Sequence, residues 1–336
     1  MGFSVKRGTN ISHWLSQSEK RGKERREWFT REDVRFLAGA GFDHLRLPVD
    51  EEQMWDAAGK REGEAFELLN RGLDWCEEAG MGAVVDLHIL RSHHFLDKQP
   101  ALYERAQEAE RFAGLWRDLS RGLRGRSVER VAFELMNEPV AKEAADWNRV
   151  AKGAYDVLRA EEAGRVIVLA SNRWNSVDTF DELWVPADGN VMLTFHYYHP
   201  LLVTHHLAPW HKSTGAYAGA IAYPGKPVAE EDVAGLEEPL RGEVVKENGF
   251  FDRGVMEADL AKPLAARGRT GCALYCGEFG VINKVADDIR VRWYRDFVSV
   301  LEGHGIGWAN WDFCGSFGIV EGEGRRVTAV LRGLMG

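Results

Sequence analysis

Short apolar runs alternate with longer amphipathic stretches from one end of this chain to the other, and the alternation repeats eight times. No other feature limits the fold as strongly. A strand, then a helix, then another strand builds a parallel sheet, because parallel neighbours need a crossover long enough to hold a helix. The runs read as strands over Arg7–His13, His44–Asp50, Ala83–Leu90, Val131–Pro139, Arg165–Asn172, Val191–Tyr198, Ala273–Val281 and Ile306–Phe313. Several are continuously apolar, as in Ala83-Val84-Val85 and Val166-Ile167-Val168-Leu169, the pattern of strands covered on both faces. Eight such units without a linker, in a chain of 336 residues, predict one α/β domain over residues 1–336, a (β/α)8 TIM barrel.

The stretches between the runs carry helix signals. Thr30 suits an N-cap, with Asp33 at the N3 position and Gly41 placed to close the helix. Phe66, Leu69, Leu73 and Cys76 form one stripe, ended by Gly80; Trp293, Phe297 and Val300 form another before Gly303. Both read as packing faces.

One connection breaks the rhythm. About seventy residues separate the sixth and seventh strands, far above the usual loop length. They contain Pro209, Pro224, Gly225 and Pro227, an acidic stretch from Glu230 to Glu238, and a helix pattern near Val255–Ala266. Trp210, Tyr217 and Tyr223 argue for order. The segment 199–272 reads as an extended loop over the active-site face of the barrel.

Charge and composition exclude several roles. The formal net charge is −9 and no Lys/Arg stripe appears, so neither nucleic acid nor an anionic membrane is expected as a partner. No apolar run reaches the roughly 20 residues of a membrane span. The chain begins Met1-Gly2-Phe3-Ser4 and enters a strand pattern after Gly8 with no leader pattern, which reads as cytoplasmic, or as secreted if a leader was removed, and fits a myristoylation site poorly. Cys76, Cys272, Cys276 and Cys314 include no C-x-x-C pair and read as buried, reduced thiols. His93-His94, His205-His206 and His211 lack acidic or thiol ligands at metal spacing, so no metal or other cofactor is expected. A monomer is expected.

Polar and aromatic residues collect where the apolar runs end, the rim on which barrel enzymes build their sites. There stand Arg46; Asp86 and His88; Asn137 and Glu138; His196 and Tyr198; Glu278; and Trp308 and Trp311. Glu138 and Glu278 end the fourth and seventh runs. Two carboxyl groups across a barrel mouth are what cleavage of a glycosidic bond requires, one as proton donor and one as an anion. Two glutamates hold different protonation states only in different environments. Arg46 is placed to keep Glu278 ionised, since a nearby cation lowers a carboxyl pKa. Tyr198 can donate to the same carboxylate, Asn137 can hold a sugar 2-hydroxyl, and Trp311 offers a face for a pyranose ring. Trp308 and Trp311 point to opposite faces of their strand. Asp86 reads as an interior residue without an assigned role.

The set of Arg46 in Leu-Arg-Leu-Pro, His88, Asn137-Glu138-Pro139, His196-x-Tyr198, Glu278 in Gly-Glu-Phe-Gly, and Trp311 resembles glycoside hydrolase family five, the cellulase-like family of the barrel glycosidases. The eight positions of that pattern are filled in order, and the resemblance covers the whole chain. It implies a retaining mechanism with Glu138 as acid/base and Glu278 as nucleophile, without a cofactor. It selects Trp311 for the site, with His88 and His196 shaping the pocket by hydrogen bonds. Beyond the pattern, Trp174 reads as a sugar platform or a loop anchor. His13 and Trp14 are placed to reach an outer subsite, and Trp210 belongs to the long connection over the cleft.

The expected substrate is a β-linked oligo- or polysaccharide, foremost β-1,4-glucan or cello-oligosaccharides, cut as an endoglucanase cuts. The same scaffold serves exo-acting β-glucosidases, β-1,3-glucanases and β-mannanases, and a carbohydrate-binding barrel without catalysis would need to lose one glutamate.

Overall fold

The computed structural model describes residues 2–211 and 214–336. Met1, and with it the Met-Gly start, and residues 212 and 213 of the long connection lie outside the described residues. Eight strands, β1 (Arg7–Asn10), β2 (His44–Val49), β3 (Gly82–Leu87), β4 (Val131–Glu134), β5 (Ile167–Ala170), β6 (Val191–Tyr197), β7 (Ala273–Phe279) and β8 (Gly307–Asn310), follow one another in order around a closed barrel. Pairing is parallel, with Arg46 beside Val84 and Asp86 beside Glu134. Six of the strands give one buried side chain each to an interior layer of Val84, Ala132, Val168, Met192, Tyr275 and Ala309. Such layers make the barrel centre a packed core.

The strands are shorter than the apolar runs. The fourth run continues to Pro139, but its ladder stops at Glu134 and the chain turns until Glu138 has φ 37°. The helix signals are realised more closely. Thr30 caps the helix Arg31–Gly39, its side chain accepting from the Asp33 N–H while Asp33 accepts from the Thr30 N–H. Gly41 follows at φ 99°, the left-handed conformation that glycine supplies at a helix end. All four cysteines are buried. Among the described residues no helix is long and apolar enough to cross a membrane.

Two compact units divide the chain. One comprises the residues up to His196 with Lys262–Gly277 and Gly307–Ala309; the other comprises Tyr197–Ala261, Glu278–Ile306 and Asn310–Gly336. The long connection contributes folded structure to the second unit. Its helices include Leu201–Thr204, Glu230–Ala234 and Leu240–Glu247. Leu202, Tyr217, Val228 and Val244 form a buried core of their own, with Ile221, Val233, Leu236 and Leu240 packed against it. The helix expected near Val255–Ala266 arrives as two, Arg253–Asp259 with Asp252 as its cap and Ala261–Thr270. Asn248 ties the subdomain together: its side-chain oxygen accepts from the Val228 N–H at 2.7 Å and its amide donates to the Val228 carbonyl at 2.8 Å.

The glycines that bracket Glu278 are there for space. A Cβ on Gly277 would lie 2.9 Å from Thr194 Oγ1, and one on Gly280 would lie 2.5 Å from the Trp311 carbonyl oxygen. The second clash is with backbone, which cannot swing aside. Gly280→Ala is therefore expected to lower stability by about 1–3 kcal/mol, read by chemical denaturation. Asn248→Ala leaves the buried Val228 peptide without its partners, at a cost of about 1–3 kcal/mol. Hydrogen exchange checks it: residues 201–251 should lose protection while β1–β5 keep theirs.

Candidate active site

In the first unit the site residues gather around one guanidinium. Arg46 on β2 is fully buried, and a buried cation needs oxygen partners. Its Nε donates to Glu134 Oε2 and its Nη2 to Glu134 Oε1, both at 2.8 Å, a two-pronged grip. Nη1 donates to Asn10 Oδ1 at 2.8 Å, and Nη2 also donates to Asn137 Oδ1 at 3.0 Å. Asp86 Oδ2 lies 3.0 Å from Nη2. Arg46 thus has a fuller set of partners than the sequence reading gave it. Burial pushes both Asp86 and Glu134 up to about 7, against the opposing pull of Arg46.

Asp86 begins a second chain of bonds. It accepts from His88 Nδ1 at 2.7 Å, and the Gln17 amide donates to His88 Nε2 at 2.9 Å. That pairing fixes the imidazole tautomer, with the proton on Nδ1. The Gln17 N–H donates to Asp50, which also accepts from Ser16 Oγ at 2.7 Å. Burial raises the Asp50 pKa against these bonds and the pull of His88.

Glu138, its side chain 14% exposed, accepts from His196 Nδ1 at 2.9 Å. Burial first, then the charge of Arg46, holds the His196 pKa well below its ordinary value. The ring is therefore neutral, and its single N–H goes to Glu138 Oε1.

Trp174 is tied to the loops beside it. Its indole donates to the Phe95 carbonyl at 2.7 Å and its backbone N–H to Pro139 O at 3.1 Å. Arg173, Trp174 and Asn175 all have positive φ, so the segment is held in a conformation that few side chains adopt. The ring itself is 54% exposed, so the same residue is anchored at its indole nitrogen and backbone and presents a face to solvent. His13 is half-buried and donates from Nδ1 to Gln17 O at 3.2 Å. Trp14 does not reach an outer subsite. It is 1% exposed, donates to Arg25 O at 3.1 Å and packs on Phe29, so it belongs to the core.

In the second unit the Tyr198 hydroxyl donates to Glu278 Oε2 at 3.0 Å, and Glu278 is buried. A bond donated to the charged form favours the carboxylate. The Tyr198 ring meets His205 edge-on at 5.1 Å, and Phe317 lies 5.7 Å from His205. Trp210, 47% exposed, stands against both. Burial pushes His205 down to about 3, so it joins this wall as an uncharged ring. Trp311 is buried just past β8, its N–H bonded to Phe279 O, while Trp308 in the first unit packs edge-on against Phe42.

Glu134, Gln17, Asp50, His205 and Phe317 went unassigned in the sequence reading. Glu134 had a signal: a charged residue between Phe133 and Leu135 in an apolar strand is seldom buried unpaired. Gln17 and Phe317 had none.

The family model for cellulase, glycosyl hydrolase family 5, matches residues 9–316. Endoglucanase C of Acetivibrio thermocellus is 32% identical over 314 residues, covering 92% of this chain and 91% of its own. Cellodextrinase A of Ruminococcus flavefaciens is 28% identical over 305 residues, covering 89% of this chain and 83% of its own. The endoglucanase Cel5A of Thermotoga maritima shares the fold, with a TM-score of 0.78 over 98% of this chain and 96% of that one at 23% identity. With strand order, rim residues and a match over residues 9–316 in agreement, the chain belongs to the cellulase family, glycosyl hydrolase family 5, and is a glycoside hydrolase.

Proposed function

We propose that the chain hydrolyses β-1,4-glucan and cello-oligosaccharides with retention, Glu278 acting as nucleophile and Glu138 as acid/base. The observation that carries the assignment is the different company of the two glutamates. The Tyr198 hydroxyl donates to Glu278, which favours an anion able to attack. Glu138 accepts on Oε1 from neutral His196, a partner that does not demand a charged carboxylate, and in this reading carries the proton for the departing oxygen. Arg46 is assigned the further task of favouring the ionised nucleophile.

In the first step Glu278 attacks the anomeric carbon, the glycosidic C–O bond breaks, and the Glu138 proton passes to the leaving oxygen. In the second, Glu138 takes a proton from water, the hydroxide attacks the anomeric carbon, and Glu278 leaves as a carboxylate. No metal or organic group is needed to balance either step. Asn137 is assigned to the sugar 2-hydroxyl, and Trp311, Trp174 and Trp210 to stacking on successive rings. His88, held between Asp86 and Gln17, and His13 line the glycan path in this reading.

The substrate rests on the relatives. Endoglucanase C matches over 91% of its own length, so the preferred reading is internal cleavage of a glucan chain. Cellodextrinase A and the folded insertion that presents Trp210 favour a second reading, cleavage of short cello-oligosaccharides. Product lengths from cellohexaose, with the viscosity of a soluble cellulose derivative, decide between them. A steep viscosity loss at low reducing-sugar release overturns the second reading.

Two results test the chemistry. The β-anomer is expected first by NMR during hydrolysis of a β-glucan; an α-anomer overturns the nucleophile assignment. Glu138→Gln is expected to slow glucan hydrolysis about 10²–10⁴-fold. Formation of the glycosyl-enzyme from a dinitrophenyl glycoside, whose leaving group needs no proton, should change little. An equal loss on both substrates would remove Glu138 from the acid role.

A further inference from the structure

Glu134 is fully buried, is absent from the eight-position pattern and touches no glycan in the mechanism above. It nevertheless makes the two-pronged grip on Arg46. What that grip controls follows from donor chemistry. A guanidinium only donates, so any side-chain amide bonded to it must present oxygen. Arg46 Nη2 bonds the side chain of Asn137 at 3.0 Å, which fixes Oδ1 toward Arg46 and turns Nδ2 the other way. Asn137 is 1% exposed, so its amide has little freedom to choose otherwise. Its Nδ2 makes no bond to any described residue and is not a sealed, unsatisfied atom. Two N–H donors are thereby presented beside Glu138.

We infer that Glu134 is a positioning residue which, through Arg46, sets the orientation of the Asn137 amide so that its N–H donors face the substrate 2-hydroxyl. The inference rests on the retaining reading above, with the 2-hydroxyl at Asn137. The geometry explains why one carboxylate on Arg46 does not suffice. Nη2 has two hydrogens and three oxygen neighbours, from Glu134, Asn137 and Asp86. Glu134 also takes Nε, and a carboxylate that holds both Nε and Nη2 fixes the plane of the guanidinium in which Nη2 meets Asn137. Without Glu134 the two-pronged grip that fixes this plane is lost, and the Nη2 hydrogen that meets Asn137 can turn toward Asp86.

The 2-hydroxyl bond strengthens in the transition state of glycoside cleavage. The role is therefore read by removing that hydroxyl from the substrate. The pair is 4-nitrophenyl β-cellobioside and its analogue deoxygenated at C2 of the sugar bearing the aryl group. Rates are taken above spontaneous hydrolysis and counted per active site, titrated with a 2-deoxy-2-fluoro glycoside. For Glu134→Gln, kcat/KM on the parent is expected to fall about 10- to 100-fold, the value of a hydrogen bond to a charged group, mainly through kcat. On the 2-deoxy analogue the same substitution is expected to cost less than about 3-fold, because the bond it disturbs is already missing. Glu134→Asp, which keeps the charge but cannot span both nitrogens, is expected to show the same selective loss and serves if the glutamine variant yields no titratable sites.

Equal losses on the two substrates would mean a merely structural Glu134, and unchanged kinetics on both would mean no role; either overturns the inference. If the unmodified protein fails to cleave the parent glycoside, the functional reading fails instead, and the two failures are distinct.

Discussion

A guanidinium sealed from water has to be met by oxygen on every side, and the first unit is arranged around that requirement at Arg46. Carboxylates from two neighbouring strands, paired in register as Asp86 and Glu134, converge on it. Two anions on one buried cation leave an excess of negative charge where charge is costly, and burial answers by pushing both pKa values up to about 7. The field reaches further. His196, buried and near the Arg46 charge, stays neutral and has one N–H to give, which it gives to Glu138. His88 receives its tautomer from Asp86. The roles of the polar side chains thus descend from one ion on the second strand.

The backbone carries a matching constraint. Glu138 has φ 37°, a left-handed conformation that costs a non-glycine residue of order 1–3 kcal/mol and persists only where neighbours over-determine it. The neighbours are visible. Pro139 beside it accepts from the Trp174 N–H, and Trp174 lies in a run of three left-handed residues whose indole is tied to Phe95. Loops after the third, fourth and fifth strands hold one another. Around Glu278 the device is the reverse: glycines admit a close approach of main chains, as at Gly280 and the Trp311 carbonyl.

How much of this could be read from residues alone depends on whether the signal is local. The strand order and the Thr30 capping box are local patterns, and they stand in the fold as the sequence implied. The polar ends of the apolar runs are local too. The partners of Arg46 are not, because they depend on register: Asp86 and Glu134 face one cation only once strands 2, 3 and 4 are aligned. Trp14 fails for a related reason. A tryptophan just past a strand can turn toward the cleft or the helices, and the Arg25 carbonyl that captures its indole is eleven residues on. The long connection hid its structure because its core joins Leu202, Tyr217, Val228 and Val244, positions with no helical or strand period.

The two glutamates began as identical residues at the ends of two runs. What separates them is the kind of donor each meets. A tyrosine hydroxyl bonded to Glu278 favours its anion, in a buried setting where a lone charge would otherwise be costly. A neutral imidazole bonded to one oxygen of Glu138 tolerates a proton on the other, so the same contact persists whether Glu138 is acid or base. An acid/base residue changes protonation state twice per turnover and needs a partner indifferent to that change, whereas a nucleophile must stay ionised until it attacks. Burial and the Arg46 charge keep His196 uncharged, and an imidazolium there would bind the Glu138 anion too strongly to let it take a proton from water. Arg46 therefore bears on Glu138, the proposed acid/base, by keeping its neighbour His196 neutral.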